Sequence, residues 1–340
     1  MALKPRQKRI LHAVVEEHIA SGSPVGSRRL SETGDLGVAP STIRNDLSVL
    51  EEEGLLAHPH TSAGRVPTDE GYRHYVESIL HERRQGGPAL PPAAHEFHQG
   101  EIDEALRETA DALSRVTELL AVVSAPSMAF TTVRHVEVLQ LQPHLVMVVI
   151  IASSGRVAKR VFSFDRAVDQ GLADAMRSYL NERLFGARLG MRRVEQTFSE
   201  PELSDMERSF LAAIRPAFEV GGPADAEDVH MGGTSRLLEA LNAQGVTHLD
   251  DLVDLLEERC KVLELLCDAL REDGLYLRIG HEMSRPSLRG CALVAANYGV
   301  ANRNLGTVSV LGPTRMDYQR VIGAVRASAD DLSTLIEELW

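Results

Sequence analysis

Pro40-Ser41-Thr42-Ile43-Arg44-Asn45-Asp46-Leu47-Ser48-Val49-Leu50 decides how the first part of the chain reads. Ile43, Leu47 and Leu50 stand at i, i+4 and i+7, so a helix beginning near Pro40 turns one side toward a core. Its other side carries Ser41, Thr42, Arg44, Asn45 and Ser48. Asn pairs bidentately with adenine, Arg with guanine, and hydroxyls reach phosphate, which is what a helix lying in a major groove needs. An ordinary amphipathic surface helix fits this segment equally well, and the neighbouring residues break the tie.

Upstream, Ile10, Leu11, Val14, Val15, His18 and Ile19 form one helical stripe, with Pro5 suited to a first turn and Gly22 to a stop. That spacing predicts a helix over Arg6–Ala20. Ser27 caps a short second helix ending near Ser31 or Glu32, whose Arg28 and Arg29 can hold phosphates. Downstream, Leu55 to His58 and Arg65-Val66 flank the polar stretch Pro59 to Gly64, a β-hairpin tip. Its residues His60, Thr61, Ser62 and Arg65 can reach sugar-phosphate or a minor groove. Thr68 caps a further helix with Asp69 and Glu70 in its first turn and the stripe Tyr72, Tyr75, Val76, Ile79, Leu80. Three helices followed by a hairpin is the order of a winged helix-turn-helix.

Composition bounds the rest. The chain has 340 residues, 44% hydrophobic and 25% charged, enough for two or three globular domains. With only 8 Phe, 6 Tyr and 1 Trp, the cores must be mainly aliphatic. The longest apolar run, Leu145–Ala152, is far short of the roughly 20 residues of a membrane helix. Glu16 and Glu17 interrupt the N-terminal apolar stretch, so it is not a signal peptide, and a cytoplasmic location is expected. Cys260, Cys267 and Cys291 have no CxxC spacing, which argues against a disulfide framework or a zinc site. They read as small buried apolar residues.

The net charge of −13 is unevenly spread: residues 1–84 hold 11 Lys and Arg against 12 Asp and Glu, so nearly all the excess acid lies beyond them. A small domain with one basic and one acidic face fits those numbers, as does a surface of mixed charge. An acidic remainder pointing away from DNA would discourage indiscriminate binding.

Residues 85–95 are rich in Gly and Pro and read as a linker. Beyond them come a helical pattern over Ile102–Val123 and three strand-like runs, Val136–Leu141, Leu145–Ala152 and Val157–Phe164. The middle run is apolar on both faces, as a central strand covered on both sides would be. A helix over Gly171–Phe185 precedes an irregular stretch, Leu189–His248, which holds a Pro201–Val220 helix. A long helix over Leu249–Leu270 leads to strands Leu275–Ile279, Cys291–Asn297 and Gly306–Leu311 and a last helix, Asp317–Trp340. Strands on both sides of an irregular stretch predict one α+β domain interrupted by an insertion.

The run His60-Thr61-Ser62-Ala63-Gly64-Arg65-Val66-Pro67-Thr68 with Gly71-Tyr72-Arg73, together with Thr42-Ile43-Arg44-Asn45 and Gly26-Ser27, closely resembles the HrcA family of heat-inducible transcription repressors. Ile279-Gly280 and Gly312-Pro313-Thr314-Arg315-Met316-Asp317-Tyr318 resemble that family's C-terminal signature. The resemblance implies a winged helix-turn-helix DNA-binding domain over residues 1–84 and a linker over 85–100. A GAF-like α+β domain would occupy 101–188 and 249–340, interrupted by an inserted dimerisation domain over 189–248. It further implies a homodimer on an inverted-repeat operator ahead of chaperone genes, with the chaperonin GroEL keeping the repressor active until heat diverts it. One departure is visible: a hydroxyl residue usually opens the recognition helix in this family, and here Ala39 and Pro40 stand there, Pro being pre-set for a first helical position.

Other roles have less support. Arg315 is a good anion partner, but Gly312 to Tyr318 also reads as a strand end, a Pro313 turn and a Thr314 helix cap. His58, His60, His95 and His98 lack companions at ligand spacing, so no metal is expected. Ser153-Ser154-Gly155 is a hairpin turn, and no catalytic set or cofactor motif is found. The alternative to a repressor tuned by a protein partner is a metabolite-sensing regulator with a small molecule in the GAF-like domain.

Overall fold

The computed structural model describes residues 3–33, 36–59, 64–84, 102–125, 132–153, 157–188, 192–199, 203–218, 229–246, 249–271, 274–300 and 303–339. The expected linker, the hairpin tip His60 to Ala63, and the Ser154-Gly155 turn lie outside them.

The first 84 residues hold α1 (Pro5–Ser21), α2 (Ser27–Thr33), α3 (Pro40–Glu52), the paired strands β1 (Leu56–Ala57) and β2 (Val66–Pro67), and α4 (Asp69–Arg84). This unit is called the head below. Each element sits where its periodicity placed it. Gly22 ends α1 in the left-handed conformation, its N–H bonded to the His18 carbonyl. Thr68 caps α4 by accepting the Gly71 N–H at 3.1 Å. Ile10, Leu11, Val14, Val15, Ile43, Leu47, Leu50, Leu56 and Val76 are almost fully buried and form the core of the head, each such side chain contributing about 1.5–3 kcal/mol. Val25 and Arg65 exchange both backbone hydrogen bonds (2.8 and 2.9 Å), an approach so close that a Cβ on Gly64 would strike the Val25 backbone.

Next come α5 (Ile102–Thr117), β3 (Leu120–Ser124), β4 (Val133–Gln142), β5 (Leu145–Ala152), β6 (Val157–Ser163), α6 (Gln170–Leu184), α7 (Arg192–Thr197) and α8 (Asp205–Ile214). They are followed by β7 (Val229–Gly232), α9 (Thr234–Ala243), α10 (Leu249–Glu257), α11 (Arg259–Arg271), β8 (Leu275–Ile279), β9 (Cys291–Val300), β10 (Arg303–Pro313) and α12 (Tyr318–Leu339). The chain is thus a mixed α+β protein. Two sheets organise it. One is five-stranded and antiparallel, in the order β7-β3-β10-β9-β8. Along β3, Ala121 and Val123 pack with α5 and α12 on one side, whereas Leu120 and Val122 pack with α9, α10 and α11 on the other. Helices cover both faces, so β3 is buried along its whole length. This layered unit is called the body below.

The other sheet, β4-β5-β6, pairs only among its own strands, and α6 and α8 pack on one face of it. This corrects two expectations. First, β5 is central but covered on one side only: its residues alternate between buried and half-exposed, leaving Leu145, Met147, Val149 and Ile151 facing outward. The strand pairing also shows where the chain leaves and rejoins the five-stranded sheet. The chain leaves the body after β3 and returns at β7, which pairs directly beside it, Ser124 opposite Val229. Second, Leu120 to Val123, expected at the end of a helix, lies in strand β3; Glu118 at φ 58° turns the chain out of α5.

Smaller differences have local causes. The expected Pro201–Val220 helix starts instead at Asp205, because Ser204 and Glu207 form a reciprocal cap. The Leu249–Leu270 helix is two, divided at Glu258, and no residue there marks the break. At the head of α12 the cap is Asp317, which accepts the Arg320 N–H at 3.0 Å, and not Thr314. Cys291 is buried, as read, and burial pushes its thiol up to about 12; the side chains of Cys260 and Cys267 lie outside those described. No helix among the described residues is long and apolar enough to cross a membrane.

Candidate nucleic-acid interface

Helix α3 begins without a side-chain cap. Ala39 offers only its carbonyl, to the N–H groups of Thr42 and Ile43 (2.9 and 3.1 Å), and Pro40 occupies the first position, where no donor is needed. With Ile43, Leu47 and Leu50 in the core, Ser41, Arg44 and Asn45 are exposed and Thr42 and Ser48 half-exposed, all on the side that the spacing assigned.

Two ion pairs fix this helix on the head. Asp46, buried on the inner face between Ile43 and Leu47, takes the fork of Arg6 from α1 through Nε (2.7 Å) and Nη2 (3.2 Å). The carboxylate in turn raises the Arg6 pKa above its ordinary value, chiefly by this hydrogen bond. At the other end Arg65 reaches from the hairpin to Glu51 (Nε 3.0 Å, Nη2 2.8 Å) and to the Ser48 hydroxyl (3.4 Å). Only 15% of the Arg65 side chain is exposed, and these contacts brace the hairpin against α3. Ser48 also donates to the Arg44 carbonyl at 3.2 Å.

On α2, Arg28 is 91% exposed and pairs with Glu32 four residues on, an interaction worth so little that a phosphate can replace it. Arg29 pairs with Glu17 of α1 at 3.0 Å and is also largely exposed. The structure therefore brings Arg28, Arg29, Ser41, Thr42, Arg44, Asn45, Ser48 and Arg65 onto one small unit; His60, Thr61 and Ser62 lie outside the described residues. The basic run at the N-terminus does not make one face. Arg6 turns to α3, whereas Lys8 and Arg9 line a pocket between α1 and α4 with His12, His74 and Ser78. The Arg6–Asp46 pair was missed in the sequence, although an acid at a core position of a helix is itself the signal that a base must meet it. Among the described residues no group of His, Cys, Asp and Glu is placed to hold a metal.

The architecture is that of a small helical head, exposing one polar helix, on a larger α+β body. Comparison with known proteins gives it a family. The family described as HrcA protein C terminal domain matches residues 103–322. Relatives named heat-inducible transcription repressor HrcA align along essentially the whole chain. The one from Streptomyces avermitilis is 34% identical, covering 99% of both chains, and that from Pseudarthrobacter chlorophenolicus 37%, covering 98% of this chain and 99% of its own. The one from Desulforudis audaxviator is 31% identical with both chains covered in full. A crystal structure of a hypothetical protein superposes with a TM-score of 0.65 at 24% identity over the full length of both chains, a likeness of fold alone. The chain belongs to the HrcA family.

Proposed function

We propose that this chain is a transcription repressor of heat-shock genes that acts in the cytoplasm and binds an inverted-repeat operator as a homodimer. The observation that carries the reading is the face of α3: Ser41, Arg44 and Asn45 stand in solvent while Arg6–Asp46 and Arg65–Glu51 hold the helix at both ends. Residues 1–84 serve as the winged helix-turn-helix, with Arg44 and Asn45 reading base edges and Arg28 and Arg29 on phosphates. His60, Thr61 and Ser62 belong to the wing in this reading.

The body, residues 102–125 and 229–339, is the GAF-like domain, and residues 132–218 are the inserted dimerisation unit. The outer face of β4-β5-β6 supports that assignment. Leu139, Leu141, Val157 and Val161 are each more than 40% exposed there, flanking the half-exposed row of β5. Across that face Glu137, Val149 and Lys159 lie in register, so a two-fold contact can set the acid of one copy against the base of the other. Family resemblance alone supplies the role of GroEL in keeping the repressor active. Gel-shift titration of the purified protein on a chaperone-gene promoter fragment, with and without GroEL, tests the proposal. Saturable binding to the palindrome that GroEL strengthens is expected, and no preference over random DNA would refute it.

A further inference from the structure

The segments that resemble the family at the two ends of the chain are more than 200 residues apart, and in the fold they touch. Asp69, in the first turn of α4, accepts the backbone N–H of His281 at 2.9 Å and faces that residue's Nδ1 at 3.1 Å; Glu70 lies 3.3 Å from its Nε2. One turn on, the Tyr72 ring packs on Tyr318, centroids 5.9 Å apart, and its hydroxyl meets His18 Nδ1 at 2.9 Å. Arg73 places its fork on the Glu282 carboxylate, with Nε at 2.7 Å, and donates to the Leu277 carbonyl at 2.9 Å. Glu282 also accepts the Ile279 N–H at 2.8 Å. Burial works to raise the Glu282 pKa, but Arg73 and that N–H outweigh it and hold the carboxyl below its usual range.

Two glycines make this approach possible. A Cβ on Gly280, at φ +54°, would overlap the Asp69 carboxylate, and one on Gly22 would overlap the Arg315 guanidinium. Arg315 is thus seated on the end of α1. Together with burial, its charge holds the His18 pKa below the ordinary value.

All these contacts fall on α4 and the end of α1. None of them uses the exposed residues of α3, Ser41, Arg44 and Asn45. We propose that Arg73, His281, Glu282, Arg315 and Tyr318 are positioning residues for DNA binding, pinning the head to the body so that α3 is presented at a fixed angle. The inference rests on the repressor reading above. A dimer engages two half-sites at once only if its two heads are held at the matching angle and spacing, and a pinned head surrenders no orientational freedom on binding. A released head still recognises one half-site and loses the advantage of two.

The test uses the full-length protein, Arg73→Glu, Glu282→Arg and the double exchange. Affinity is measured on the palindrome and on a single half-site, and amide exchange is followed over residues 277–283. Each single variant should lose about 10- to 100-fold on the palindrome, little on the half-site, and protection at His281. The double exchange should recover much of the palindrome affinity, which a merely damaged fold would not do. Equal losses on both probes, no loss on the palindrome, or a gain there would overturn the proposal, the last identifying the contact as inhibitory. If the wild type binds no operator, the repressor reading fails. The exchange data then decide the pin, and unchanged protection in the single variants removes it.

Discussion

Gly280→Ala tests the junction between head and body most directly. At φ +54° an alanine bears a left-handed strain of about 1–2 kcal/mol. Its methyl group would also occupy the space of the Asp69 carboxylate, so that carboxylate must retreat and release the His281 N–H. A hydrogen bond to a charged group is worth about 1.5–3 kcal/mol. Gly245 supplies the control: φ is +70°, and a Cβ there meets nothing within 4 Å. Gly245→Ala should therefore show the strain alone. Amide exchange read at each site should give Gly280→Ala an excess in local opening of roughly 10- to 150-fold, the factor that 1.5–3 kcal/mol implies. The excess should vanish in an Asp69→Ala background, where no carboxylate remains to be displaced. Equal effects at the two glycines, or an excess that survives removal of Asp69, would refute the reasoning.

Arg44→Ala and Asn45→Ala should each cost about 1–3 kcal/mol on the operator and little on random DNA in gel-shift titrations. Arg28→Gln or Arg29→Gln should reduce the slope of log K against log salt by about 0.9 per contact in each subunit. Arg65→Gln should instead lower the melting temperature, since its guanidinium is spent on Glu51 and Ser48. The hydrogen bond to Asp69, with the charges of Asp69, Glu70 and Glu282, raises the His281 pKa above its ordinary value. The protonated ring therefore favours docking. Protection at His281 should be complete below the ordinary imidazole range and fall as pH rises through the elevated value. After correction for intrinsic rates, His281→Gln should show a flat profile. Val161→Glu, on the edge strand β6 of the outward sheet face, should convert a dimer to monomer in sedimentation.

Much of the head was legible because its signals are local. Gly22, Ser27, Pro40 and Thr68 mark helix ends, and the stripes through Ile10 and Ile43 name the buried sides. The body was harder. Leu120 to Val123 is buried on both faces, so it carries no period of two and reads as a continuation of the helix before it. β5 looks like a strand covered on both sides, and only its partners reveal that one apolar face is left outward. For the candidate site, the polar face of α3 followed from spacing, but the residues that hold it did not. Asp46 and Arg6 are 40 positions apart and Arg73 and Glu282 are 209 apart, separations at which pattern gives no guidance.

The pairing of Ser124 with Val229 bears on how such a chain is assembled. Strands β3 and β7 are antiparallel neighbours, so everything between them amounts to the loop of a hairpin. Closing a loop grows dearer only with the logarithm of its length, about 0.6 kcal/mol for each doubling. Between two neighbouring strands the five-stranded sheet thus accommodates a second sheet with a buried cluster of its own at a modest closure cost.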